Sequence, residues 1–174
     1  MILTIGHSTH PIEEFLDLLQ THHVEQLVDI RTIPKSRRNP QFGTDALAAS
    51  LHDAGIAYLH MPGLGGLRHP RKDSINTAWK NASFRGYADY MQTPAFDASL
   101  RELIDAASSG RTVIMCAEAV PWRCHRSLVA DALTAHGIAV EHIMGKSAPK
   151  AHTYTSFARV DGETVTYPGL PLVE

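Results

Sequence analysis

Two cysteines in 174 residues are too few for a disulfide framework of the secreted kind. Nor is there an apolar run long enough to cross a bilayer. The opening MILTIGHST lacks both the basic segment and the long apolar core of a signal peptide. Charge of one sign is also missing: the formal net charge of -2 gives no global cationic field to draw the chain onto nucleic acid or an anionic membrane. Any anion site must therefore be local. Internal repeats and a linker-like stretch are absent too. These absences leave a soluble globular protein, expected in the cytoplasm, with residues 1–174 as one domain and 146–174 as a C-terminal hairpin appendage. A chain of this size buries roughly 70% of its unfolded surface, so stability requires neither a disulfide nor a structural metal.

What is present is ordinary globular composition, 44% hydrophobic and 20% charged, with one outlier. There are eleven histidines, several at the ends of apolar runs, where imidazoles serve proton transfer or metal binding more readily than in a polar stretch.

Short apolar runs alternate with segments of helical period, the pattern of a parallel sheet with crossover helices. Strands are expected at Ile2 to Ile5, Gln26 to Arg31, Ile56 to Met61, Thr112 to Cys116 and Ala139 to Met144. The first helix should be capped by Thr9 or His10, with Pro11 near its first turn and Glu13 and Glu14 where the helix dipole favours acids. Thr44 is expected to cap a second helix that stops at Gly55. Further helices are expected at Phe84 to Met91, at Pro94 to Ala107 behind a Thr93 cap, and at Cys124 to His136. The tail predicts a β-hairpin on a type I′ turn at Asp161-Gly162. The fold class is α/β: a three-layer α/β/α arrangement around a mainly parallel, Rossmann-like sheet of about five strands, plus the small hairpin.

In such sheets ligands bind outside the carboxyl ends of the strands, where loops and helix N-termini gather. The ends predicted here carry Gly6-His7-Ser8, Asp29 and Arg31, Tyr58 and His60, Cys116 and Glu118, and Glu141 and His142. Each alone reads as a satisfied polar residue at a strand edge. Together they mark one rim.

Cys116 to Arg126 is the sharpest segment, because strand, loop and helix start follow directly. A helix N-terminus presents unpaired N–H groups and partial positive charge, which lower a nearby thiol's pKa and hold an anion. Arg123 and Arg126 add to that field. A thiol of ordinary pKa near 8.5 is about 3% ionised at pH 7, and a two-unit depression would ionise most of it. The order of strand-terminal cysteine, loop and arginine is similar to phosphatase and rhodanese loops. However, the spacing from Cys116 to Arg123 is one residue longer, and Glu118 and Pro121 stand where those loops use small residues or backbone donors. An inert core role for Cys116 stays open.

Two other readings compete. Cys116, Cys124 and His125, with a histidine from another strand, offer soft ligands for zinc or iron, although their spacing is not that of a zinc finger. Basic loops, Lys35, Arg37 and Arg38 in one and Arg68, Arg71 and Lys72 in the other, could bind nucleic acid or be plain solvated surface. The second loop contains Gly63, Gly65 and Gly66, which permit close backbone approach to a ligand.

The motifs TIGHST (4–9), VDIRTIPKS (28–36), YLHMPGLGG (58–66) and CAEAVPWRCHR (116–126) together resemble the bacterial family called domain of unknown function 488, over nearly the whole chain. The resemblance implies an α/β fold. It picks out His7, Asp29, Arg31, Pro34, Ser36, Tyr58, His60, Gly65, Gly66, Cys116, Glu118, Cys124, His125 and Arg126 as motif positions, and it brings no substrate or cofactor. The leading expectation is an enzyme acting on a small anionic substrate, a nucleotide or phosphorylated metabolite. In that reading Arg31, Ser36, Gly65, Gly66, Arg123, Cys124, His125 and Arg126 hold the anion, Glu118 and His7 or His60 move protons, and Cys116 or Cys124 is the nucleophile. The alternatives are a nucleic-acid-binding module and a metal-binding or thiol redox protein. The cofactor and the oligomeric state are unassigned.

Overall fold

The computed structural model describes residues 1–170; the last four residues of the expected domain lie outside them. Its main sheet has six strands in the order β3-β2-β4-β1-β5-β6. They are β1 (Ile2–Gly6), β2 (Gln26–Asp29), β3 (Ala57–His60), β4 (Thr112–Cys116), β5 (Val140–His142) and β6 (Lys150–Ala151). All neighbours are parallel except β5 and β6. The five expected strands are thus present, and the short sixth, from the segment read as an appendage, closes one edge of the sheet.

The central strands β1 and β4 are buried throughout and apolar on both faces, as expected for strands covered by helices on either side. Leu3, Ile5, Val113 and Met115 face one layer, formed by α1 (Ile12–Thr21) and α2 (Thr44–Asp53). Ile2, Ile114 and Cys116 face the other, formed by α3 (Ala82–Met91), α4 (Pro94–Ala107) and α5 (Arg126–Ala135). The connection through α1 passes β4 on one face to reach β2, and the connection through α5 passes β1 on the other face to reach β5, so the adjacent ends of β1 and β4 send their loops to opposite faces of the sheet. This is the switch point at which open α/β sheets form a crevice. Register places Gly6 beside Cys116 there.

Three helix starts differ from expectation. The α1 cap is Pro11 rather than Thr9 or His10, with no side-chain hydrogen bond; the acids Glu13 and Glu14 instead complement its free N–H groups. Gly43 rather than Thr44 caps α2, because the Thr44 hydroxyl donates 3.1 Å to the Pro34 carbonyl and ties the helix to the preceding loop. The last helix begins at Arg126, not Cys124: Pro121 opens a single tight turn to Arg123, and Cys124 is extended (φ -137°, ψ 147°). Thr93 does cap α4 as expected, accepting from Phe96 N–H, and Asn81 caps α3.

The C-terminal hairpin pairs β7 (Arg159–Asp161) with β8 (Thr164–Thr166). Its turn sits one residue later than read from the sequence, on Gly162 and Glu163. Gly162 alone has positive φ, at 60°, the pattern of a type II′ rather than a type I′ turn. Val165 and Tyr167 pack into the α3/α4/α5 layer, so the tail is part of the core. The long segment before α3 is ordered by Asp89, which accepts from Arg71 N–H, Ser74 Oγ and Asn76 Nδ2. Among the described residues no helix is long and apolar enough to cross a membrane.

Candidate functional site

A cavity of about 1000 Å³ opens at the carboxyl ends of β1, β2 and β4. Its floor is Cys116 and Cys124, and its walls include His7, Arg31, Ser36, Gly66, Glu118, Arg123 and His125. Nine of the expected site residues therefore meet in one place; His60, Gly65 and Arg126 do not line it.

The close approach of two backbones shapes the floor. Beyond Cys116 the chain folds back over the end of β1, where His7 N–H donates to the Cys116 carbonyl and Ser8 N–H to the Ala117 carbonyl, both at 2.9 Å. A Cβ on Gly6 would collide with the Glu118 carbonyl, so only glycine admits this return. Ser8, with φ 49°, occupies the left-handed region that non-glycine residues rarely adopt, a form of strain that gathers at functional rims.

Arg126 holds the loop from below. Its side chain is fully buried. One guanidinium nitrogen donates to Cys116 Sγ at 2.8 Å and to the Glu118 carbonyl, the other to the Ala119 carbonyl at 3.1 Å, and Nε to Thr4 Oγ1 at 3.3 Å. No carboxylate pairs with it among the described residues. Its charge is therefore presented to a sulfur and to carbonyl dipoles. Burial alone would push the Cys116 thiol up, but the neighbouring Cys124 thiol, the Arg126 charge and hydrogen bond, and the Glu118 backbone outweigh it and bring the value down to about 7. Cys124 moves the other way, raised by burial and by the adjacent Cys116. One thiol of the pair is thus poised to ionise and the other to stay protonated. The two are free, not bridged.

Arg31 sits at the end of β2 in a different setting. Asp29, wholly buried, takes Nε at 2.9 Å and one terminal nitrogen at 2.7 Å in a two-pronged pair, and also accepts from Arg31 N–H and the Tyr58 hydroxyl. The remaining guanidinium nitrogen lies 3.4 Å from His7 Nε2. His7 donates from Nδ1 to the Ser8 carbonyl at 2.8 Å, which leaves Nε2 as an acceptor. Its ring stacks on Phe42 at 4.3 Å. Burial lowers the His7 pKa below its ordinary value, so the ring is a neutral acceptor.

His60 donates 2.7 Å to the Arg31 carbonyl and fixes the loop rather than the cavity. His125 donates from Nε2 to the Ile30 carbonyl at 3.2 Å, with Nδ1 3.5 Å from Cys124 Sγ; burial pushes its pKa down to about 4. Gly65 and Gly66 leave room for neighbours: an added Cβ would strike Thr32 at one and stand 2.6 Å from His125 Nδ1 at the other. Ser36 Oγ accepts from Asn39 N–H at 2.9 Å and so shapes the basic loop. Glu118 is exposed and lines the cavity.

The two basic loops part company. Lys35, Arg37 and Arg38 line the cavity with Arg123, and none of the four has an ion-pair partner among the described residues. Arg68 instead lies 3.6 Å over the Tyr90 ring, and Arg71 pairs with Asp73, so the second loop reaches the cavity through Gly66 and Leu67 and not through its cations. Among the described residues no group of three His, Cys, Asp or Glu side chains is placed to hold a metal ion; Cys116, Cys124 and His125 are neighbours without forming a ligand set.

Sequence reading placed His142 on the rim, but β5 pairs it with Thr4, two residues below Gly6, and the ring is buried. It belongs to a polar chain beneath Arg126 that includes His152 and Asp131. The available signals were an acid, Asp131, inside an otherwise apolar helix face, and Thr4 in an apolar strand.

Comparison with curated proteins and with solved structures returns no match. The family model described as Domain of unknown function DUF488 matches residues 11–133, a stretch that carries Asp29, Arg31, the basic loop, both cysteines and Arg126. The chain belongs to the DUF488 family.

Proposed function

We propose that the protein is an enzyme that binds a small anionic substrate, a nucleotide or phosphorylated metabolite, in the rim cavity and attacks it with the Cys116 thiolate. The observation that carries this reading is a buried thiol hydrogen-bonded by an arginine that has no acidic partner among the described residues, on the floor of a cavity walled by four cations likewise unpaired; these neighbours bring its pKa to about 7. At neutral pH about half of such a thiol is ionised. Lys35, Arg37, Arg38 and Arg123 attract and orient the anion. The unshared nitrogen of Arg31 takes a substrate oxygen, its own charge being balanced by Asp29.

The reaction is a nucleophilic group transfer. The sulfur bonds to the electrophilic atom as the leaving group departs with its bonding pair, and water then cleaves the adduct, giving its proton to Glu118 and restoring the thiolate. Glu118 suits that role because it lines the cavity and is exposed to water.

Protection of Cys116 from iodoacetamide tests the reading. Trypsin separates it from Cys124 at Arg123, so each thiol is followed independently. Inorganic phosphate or a nucleoside monophosphate should slow Cys116 alkylation several-fold, and Arg37→Gln with Arg38→Gln, both cations lining the cavity, should abolish the protection. No protection by any anion of the panel at low ionic strength would sink the proposal. The basic loop that lines the cavity favours a second reading, a nucleic-acid strand as ligand. That ligand would bind with steep salt dependence and equal affinity in Cys116→Ala.

A further inference from the structure

Beneath the cavity floor, on the far side of Arg126, a line of buried polar groups runs away from the site. Thr4 Oγ1 lies 2.6 Å from His142 Nδ1, His142 Nε2 lies 2.8 Å from His152 Nδ1, and His152 Nε2 lies 2.8 Å from Asp131 Oδ1. Thr155 and Tyr167 hydroxyls close the far end, each 2.7 Å from Asp131 Oδ2. Thr4 and Asp131 are wholly buried and His142 nearly so. Three consecutive short hydrogen bonds among buried side chains are costly to leave unmade, yet none of these residues reaches the cavity.

Donor and acceptor roles follow from the two ends. Arg126 can only donate, so Thr4 Oγ1 accepts from its Nε. An Asp131 carboxylate that already takes two hydroxyls accepts again from His152 Nε2–H. With both imidazoles neutral, His152 Nδ1 accepts from His142 Nε2–H, and His142 Nδ1 from the Thr4 hydroxyl. Every bond points the same way, from a buried cation without a contacting carboxylate to a buried carboxylate without a contacting arginine or lysine. Burial above all keeps His142 neutral, with its pKa down at about 4, as the relay requires.

We infer that Thr4, His142, His152 and Asp131 form a positioning relay that fixes the Arg126 guanidinium against Cys116 Sγ, and that the C-terminal segment thereby controls the reactivity of the thiol. The inference rests on the reading of Cys116 as the reactive thiolate. These are positioning residues, since they act through Arg126. Thr4, His142, His152, Thr155 and Tyr167 lie outside the stretch matched by the family model, whereas Asp131 and Arg126 lie within it. The charged and titratable groups acting directly on Cys116 are Cys124 and Arg126; the relay reaches only the second.

Residue-resolved alkylation of Cys116 by iodoacetamide as a function of pH, on the full chain, tests it. Thr4→Val removes the hydroxyl and keeps the shape, and Thr4→Ser restores the hydroxyl. The midpoint should rise by about one pH unit in Thr4→Val, roughly a tenfold loss of thiolate below the midpoint, and return close to the wild-type value in Thr4→Ser. His142→Phe, which leaves the Thr4 hydroxyl without its acceptor, should move it in the same direction by less and serves if Thr4→Val does not fold. A wild-type midpoint near 7 that stays put in folded Thr4→Val or His142→Phe overturns the relay alone. A wild-type midpoint in the ordinary thiol range overturns the thiolate reading and the relay with it.

Discussion

The end of β2 and the start of α5 each bury an arginine, and the two are held in opposite ways. Arg31 is locked in a two-pronged pair with a buried carboxylate. Arg126 is held by carbonyls, a hydroxyl and a thiol, with no ion pair among the described residues. A balanced arginine is a fixed shape with one spare donor, whereas an unbalanced one is a field. The first fits recognition and the second fits lowering the pKa of a neighbouring acid, here a cysteine.

Removing each charge in turn should expose that difference. Arg126→Met is expected to be the most damaging change, about 3–5 kcal/mol in urea denaturation, because it strips the loop carbonyls and Thr4 of their buried donor. It should also return Cys116 to the ordinary thiol range. A loss under 1 kcal/mol would show that the loop does not depend on this side chain. At the other arginine, Asp29→Asn should cost about 3 kcal/mol by leaving Arg31 without its counter-charge. Asp29→Asn combined with Arg31→Met should recover much of that loss, since a buried pair can be replaced as a unit. Additive losses in the double-mutant cycle would contradict the coupling.

The smallest expected effect comes from acid. Two buried neutral histidines, His125 against the Ile30 carbonyl and His142 beneath Arg126, are both depressed to about 4 from an ordinary 6.5. Above pH 6.5 folded and unfolded states are alike, with the rings neutral. Below it the unfolded chain takes up protons that the folded one refuses, so stability falls until about pH 4. At pH 5.5 each ring should cost roughly 1 kcal/mol. Thermal unfolding of His125→Phe and His142→Phe across this range assigns the two contributions, and a pH-independent difference from wild type in both would refute them.

Much of this was legible from residue order. Alternation of apolar runs and helical period gave the parallel sheet, and polar residues at the strand ends gave the rim, because backbone geometry forces parallel strands to finish on one side. Pairing partners were not legible. The order that sets β4 between β1 and β2, and so places Gly6 beside Cys116, depends on how helices pack over the sheet. The helix at Cys124 was read two residues early because Pro121 and the anchored Arg126 reshape the loop, and no local signal reports a side chain pinned from below. Glu118 and Arg126 looked alike as charged residues at a rim. Only burial separates them, one facing water and the other facing the sheet.

The position of Tyr167, His152 and Thr155 around Asp131 has a consequence in time. The ribosome delivers Asp29, Arg31, both cysteines and Arg126 before it delivers any of these three. A nascent chain that ends near residue 133, where the family match stops, already holds every residue that lines the cavity. It still lacks β5 and leaves Asp131 without the three donors that bind it in the finished fold. The residues that line the pocket are therefore all synthesised before the side chains that donate to Asp131, so the pocket's chemistry and its buried support enter the chain in that order.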